Sequence, residues 1–309
     1  MSSVELPSEI LAGDQAVALA YVTPASGVVI VPVTNFGIFD RDAGTIAVNT
    51  SIGAWKKLER IRRNPRVALA FHTRAHSLST RPEYVLAQGT ARLSPFDDRD
   101  GWREVFGQNW EFFGGQPHRV GPLWDRWLSV YHWRVTIEVA VERVVTWPNL
   151  VCAGEPAVSG APLPADDPEP QSPPRNGTGP RIDHERAAFR AERLPNVLLG
   201  WVGADGLPVV VPVSIHGAVP EGIVLRGDAG LLPAGGRRAG LTAHWFSRKV
   251  VGQIQEIHTG WLEREGDRVV YAPHTRAAYR IPNARFAFNL GAGFETRRRL
   301  RGARRAGLV

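Results

Sequence analysis

Between Asn49 and Lys57 the chain reads NTSIGAWKK: a strand-like end, two hydroxyls, a glycine, then two adjacent ammonium groups at the start of a helical pattern. Thr50 and Ser51 offer O–H donors, the first helical turn offers backbone N–H groups without partners, and Lys56 and Lys57 bring positive charge. That convergence suits a phosphate group. The same residues also fit a plainer arrangement, in which Thr50 or Ser51 caps the helix and the lysines face solvent; spacing alone leaves both open. The lysine pair is the more informative because Lys249 is the only other lysine. Other chemistry finds little support. Cys152 is the single cysteine, so neither an internal disulfide nor a cysteine-built zinc site is available. His72 and His76 lie four positions apart without a carboxylate nearby, which fits rim residues better than metal ligands. No metal site is expected, and no G-x-S-x-G, P-loop or G-x-G-x-x-G sequence occurs.

The elements that must position this segment can be read around it. Residues 54–64 carry Ala54, Leu58 and Ile61 on one stripe with charged residues elsewhere, a short amphipathic helix that Asn64-Pro65 ends. Apolar, β-branched runs at 15–22, 29–34, 44–50, 66–72 and 84–93 read as strands. Helices are expected at 97–107 and 118–129, and a strand over 131–145 with Val135, Ile137, Val139 and Val141 on one face closes a small barrel. The order recurs. Residues 29–34 (VVIVPVT without its first valine) match 209–214 (VVVPVS), and 44–50, 66–72 and 84–93 match 222–228, 239–246 and 254–263. At 231–238 a proline and two glycines replace the helix, which the second copy is therefore expected to lack.

A length of 309 residues with 43% hydrophobic and 22% charged residues supports two ordinary cores and excludes wholesale disorder. Residues 153–181 hold eight prolines in 29 positions and read as an extended linker. This divides the chain into an N-terminal barrel domain (1–152), the linker, and a C-terminal degenerate barrel domain with a basic tail (182–309). The net charge of +7 is concentrated in that tail, which has six arginines over 295–309. Nucleic-acid binding thus has only charge behind it, and the tail is expected to be a solvated appendage, dispensable for ligand binding. No apolar run is long enough to span a bilayer and the N-terminus has no secretory pattern, so a cytoplasmic protein without membrane association is expected.

The order of strands around TSIGAWKKLERIRRNPRVALAF and YVLAQGTARLS resembles the pyridoxamine 5'-phosphate oxidase-like superfamily of flavin-binding split β-barrels. The match is good over residues 15–93 and extends to the second half in outline. The resemblance implies a mainly β fold with short helices, two split barrels packed as a pseudo-dimer, monomeric or as a homodimer. It implies FMN as cofactor, with the deazaflavin F420 as alternative and haem as a weaker one, and redox chemistry on a small-molecule substrate. Carried over by position, Asn49, Thr50, Ser51, Lys56 and Lys57 would meet the phosphate. Ile30, Val31, Pro32, Val33 and Thr34 would run beside the ring, and Tyr84 and Gln88 would face it. No pyridoxine-phosphate substrate motif is present, no catalytic residue is assigned, and one ligand site per chain is expected.

Overall fold

The computed structural model describes residues 4–114, 121–228, 230–248 and 252–309. Its first half runs α1 (Ser8–Gly13), β1 (Ala16–Val22), β2 (Val28–Thr34), β3 (Ile38–Asp40), β4 (Thr45–Ser51), a 3-10 turn (Ile52–Ala54), α2 (Trp55–Arg63), β5 (Arg66–Phe71), β6 (Tyr84–Leu93), α3 (Trp102–Gly114), α4 (Pro122–Trp127) and β7 (Arg134–Trp147). There follow β8 (Ala157–Gly160), α5 (His184–Glu192), β9 (Asn196–Val202), β10 (Pro208–Pro212), β11 (Ser214–Val219), β12 (Gly222–Arg226), β13 (Gly235–Phe246), β14 (Gln253–Glu265), β15 (Arg268–Ile281) and α6 (Arg285–Arg305). The sheets are antiparallel, in the orders β2-β1-β5-β6-β7-β4-β3 and β10-β9-β13-β14-β15-β12-β11. Each strand of the first has its counterpart eight numbers later in the second. Both sheets also bulge at the same place: β7 has an extra residue, Glu142, opposite the step from Gln88 to Gly89 of β6, and β15 has His274 opposite the step from Thr259 to Gly260 of β14.

Alternation explains how the sheets pack. In β1 and β5, Val17, Leu19, Tyr21, Val67, Leu69 and Phe71 point into the first barrel core. Ala18, Ala20, Ala68 and Ala70, on the opposite face, form a second core with Leu198 and Val210 of the other sheet. Small side chains on that face let the two sheets approach, and the strands read as unbroken apolar runs because both faces are buried. Polar groups key the contact: Tyr84 Oη donates to Val210 O at 2.7 Å, Gln88 Nε2 to Pro208 O at 2.7 Å and Thr242 Oγ1 to Ile30 O at 2.8 Å.

The helix expected over 54–64 is α2, and among the described residues no helix lies between β12 and β13. The helix expected at 97–107 is shifted to Trp102–Gly114; of the one expected at 118–129, Pro122–Trp127 is helical, while 118–120 lie outside the described residues. The proline-rich segment adds β8 to the edge of β7 and then runs over the surface, where Gln171 Nε2 donates to Ser26 O at 2.9 Å.

The tail is not the solvated appendage expected. Residues 285–305 form one helix, α6, with Phe288, Asn289, Ala292, Gly293 and Ala303 buried. It docks without a stripe of large residues: Gly53 lets Thr296 approach the 3-10 turn, where an added Cβ would sit 3.2 Å from Thr296 Cα. A Cβ at Gly293 would run into the Trp127 indole. His72 was expected at a rim and is instead buried at the contact between the halves, its Nε2 2.6 Å from His244 Nε2.

Candidate functional site

The NTS segment ends β4 and turns directly into the 3-10 turn and α2, so its hydroxyls and the helix start share one wall of a cavity of about 250 Å³. A second wall is the half-exposed end of β2, Val31 to Thr34, at the edge of the first sheet. Beyond Tyr131 and Arg134 of the first half, the other half supplies the rest, chiefly Gln253, Gln255 and Ile257 of β14, Ala277 to Tyr279 of β15, and Glu295, Thr296 and Arg299 of α6. The cavity is thus closed only by both copies together.

Three cations converge in it. Lys57 is buried and its Nζ donates to Thr50 Oγ1 at 3.1 Å. Burial, then the charges of Arg134 and Arg299, push the lysine down to about 7. Arg134, at the start of β7, is placed beside Asn49 by the β4–β7 register and donates through Nε and Nη2 to Asn49 Oδ1 at 2.9 and 2.7 Å. Its guanidinium also sits 5.1 Å from the Trp110 and Tyr131 ring centres, and burial lowers its pKa from the ordinary value. Arg299 is held by Glu295 at 2.5 Å. Among the described residues neither Lys57 nor Arg134 has a carboxylate within 4 Å. Asn49 Nδ2 is buried without an acceptor. Buried donors and positive charge without a counter-ion are what an anion would satisfy.

Of the residues singled out in the sequence, Val31, Pro32, Val33, Thr34, Asn49, Thr50, Ser51 and Lys57 line this cavity. Four do not. Lys56 is exposed, its ammonium 5.6 Å from the Trp55 ring, because successive helical positions diverge by about 100° and only one of the pair can face inward. Ile30, Tyr84 and Gln88 belong to the contact between the sheets, as the hydrogen bonds above show. Ser51 combines two readings: it lines the cavity, yet its Oγ donates to Val130 O and accepts from Gly53 N, so the hydroxyl is already engaged as a cap. Arg134, Tyr131, Tyr279, Gln253, Gln255 and Arg299 had not been singled out. Burial raises both tyrosines above the ordinary phenol range.

The second copy has a corresponding cleft of about 570 Å³, bounded by Pro212 to Ser214, Arg226 to Asp228, and His72 and Thr73 of the first half. Aligned on the two bulges and the strand registers, Asn49, Thr50 and Ser51 stand opposite Arg226, Gly227 and Asp228. The equivalent of Arg134 falls on Gly266 in the turn before β15. Among the described residues no lysine-bearing helix follows there, and a carboxylate replaces a hydroxyl.

Two split-barrel sheets thus pack together with a cation-lined cavity between them. The chain is similar to solved members of the pyridoxamine 5'-phosphate oxidase-like group, and its two half-barrel sheets fit a tandem two-copy arrangement. A protein related to general stress protein 26 from Clostridium acetobutylicum, of the pyridoxinephosphate oxidase family, is 11% identical, with 48% of this chain and 86% of that chain covered at a TM-score of 0.33. A pyridoxamine 5'-phosphate oxidase-related, FMN binding protein from Nostoc punctiforme is 14% identical, covering 43% and 75% at a TM-score of 0.30. An F420 reductase is 16% identical, covering 46% and 98% at a TM-score of 0.32. No protein-family model matches the sequence, and no curated protein sequence does.

Proposed function

We propose that the chain is a flavin-dependent oxidoreductase acting on a small molecule, with one FMN held between its two copies. The observation that carries this reading is the convergence of Lys57, Arg134 and Arg299 on a cavity that also exposes the half-buried edge of β2. Lys57 and Arg134 suit the phosphate oxygens, and Asn49 Nδ2 provides a further donor. Backbone groups of Val31 to Thr34, with Gln253 and Gln255 opposite, suit the polar edge of a ring, while Ile257 and Ala277 provide apolar contact. A bound flavin supplies hydride transfer at its ring N5. The protein's own part is to hold the phosphate, orient the ring along β2 and exclude water by means of α6. F420 also carries a phosphate group, so the same cations suit it. Haem fits less well: among the described lining residues only Tyr131 and Tyr279 could serve as axial ligand, and burial holds both phenols in their protonated form. Among the described residues the second cleft has no counterpart of Lys57 or Arg134, which supports one cofactor per chain.

The test is titration of the purified chain with FMN and F420, followed by absorbance. Lys57→Ala and Arg134→Ala are each expected to weaken binding by about 1.5–3 kcal/mol, the range for losing a charge-assisted hydrogen bond. Equal affinity in wild type and both variants would refute the assignment.

A further inference from the structure

α6 has an inner face, which closes the cavity, and an outer one. On the outer face Phe286, Leu290 and Phe294 are 65%, 42% and 62% exposed. Their four-residue spacing draws them into one line along the helix, which Arg298, Arg301 and Arg305 continue towards the C-terminal end. At the other end the line widens onto α4. There the Trp124 ring packs edge-on against Phe286 at 5.6 Å between centroids, and Leu123 is 79% exposed. Contiguous large apolar side chains on a surface mark a place where something docks.

Charge selects the partner. α6 carries seven arginines and one glutamate, in a chain whose net charge is +7. Glu295 engages Arg298 and Arg299, so Arg301, Arg304 and Arg305 have no carboxylate within ion-pair distance among the described residues. A second copy on this face would set arginine against arginine. A nucleic acid would satisfy the arginines and leave the phenylalanines in water. A surface that is anionic outside and apolar a few ångströms deeper satisfies both parts of the line. We propose that this face docks on an anionic lipid bilayer, with Leu123, Phe286, Leu290 and Phe294 at the acyl boundary and the arginines among the headgroup phosphates. No helix among the described residues is long and apolar enough to cross a membrane, so α6 lies in the plane of the interface. The proposal is independent of what fills the cavity.

The experiment is co-sedimentation of the full chain with vesicles of phosphatidylcholine alone and of phosphatidylcholine containing about 30% phosphatidylglycerol, at roughly 0.1 M salt and again at about 0.5 M, where screening is strong. Partition is expected to be at least about tenfold stronger on the anionic vesicles and to fall at high salt. Phe286→Ser with Phe294→Ser, and separately Arg301→Ser with Arg304→Ser and Arg305→Ser, should each reduce it about tenfold. All the substituted residues are exposed and, of the two phenylalanines, Phe286 alone packs against a neighbouring ring, so thermal unfolding should change little. Equal binding to both vesicles, or binding indifferent to both variants, overturns the proposal. So does a dimer that the phenylalanine variant dissociates, which would assign the face to a second copy.

Discussion

Lys57 brings its ammonium into a cavity already holding two guanidinium groups, and the consequence is a lysine that titrates near neutrality, at about 7. Its folded-state value lies below that of the unfolded chain, so the unfolded state binds the extra proton between about pH 7 and 10.5. The chain without ligand should therefore gain stability as pH rises through that window. Anion binding works against this, because a phosphate favours the charged lysine. FMN affinity is expected to fall as pH rises through 7, with net proton uptake on binding, and Lys57→Met should remove most of that slope; calorimetry in buffers of different ionisation enthalpy measures both. This lysine was half legible in the sequence. The stripe Ala54, Leu58 and Ile61 that identifies α2 also places Lys57, one turn before Ile61, on its flank, and Lys56 farther round. Residue type does not separate the pair, whereas helical phase does. Arg134 had no local signature, since only the β4–β7 register brings it to Asn49.

At the level of elements, most central strands were legible as apolar runs bounded by turn residues and α2 by its stripe, whereas β3, β8, β11, β15 and, above all, α6 were not. Its arginines occupy several faces, and what it buries is largely small, Ala292, Gly293 and Ala303 beside Phe288. A helix that docks through small residues leaves little amphipathic signal. The interaction is nonetheless specific, because Gly293 faces the Trp127 indole, whose Nε1 donates to Asn289 O at 3.1 Å. Gly293→Val should force α6 outward, lowering stability by about 1–3 kcal/mol as overpacking does. FMN affinity should fall at least about tenfold, corresponding to about 1.4 kcal/mol, because Thr296 and Arg299 move with the helix. Removal of residues 285–309 should abolish FMN binding altogether. Denaturant melts and fluorescence titration report on the two effects.

Across the whole molecule, the two sheets share one strand order, and the contact between them is keyed by single hydrogen bonds. Tyr84→Phe should cost about 1–2 kcal/mol, since it leaves the Val210 carbonyl buried without its donor, and urea denaturation would measure it. The cavity draws on both copies, so a fragment ending at residue 160 should bind no FMN. The intact chain should bind one equivalent, which saturation titration counts. His72 and His244 occupy matching positions, as the registers Leu19 with Leu69 and Leu199 with Leu241 show, so they lie on the approximate two-fold axis. A rotation can carry one backbone onto the other, but a hydrogen bond lying on its axis has a direction. His72 Nδ1 meets Ala70 O at 2.9 Å, and a carbonyl only accepts, so that nitrogen carries a proton. Burial holds His72 uncharged down to about 4 and keeps His244 well below the ordinary imidazole range. His72 Nε2 is therefore bare and His244 Nε2–H donates to it. Nitrogen NMR should find two opposite tautomers in the pair. Stability should decline as pH falls from 6.5 towards 4, where the unfolded chain takes up protons that these rings refuse. One indivisible proton thus gives a nearly symmetric molecule a left and a right at its very centre.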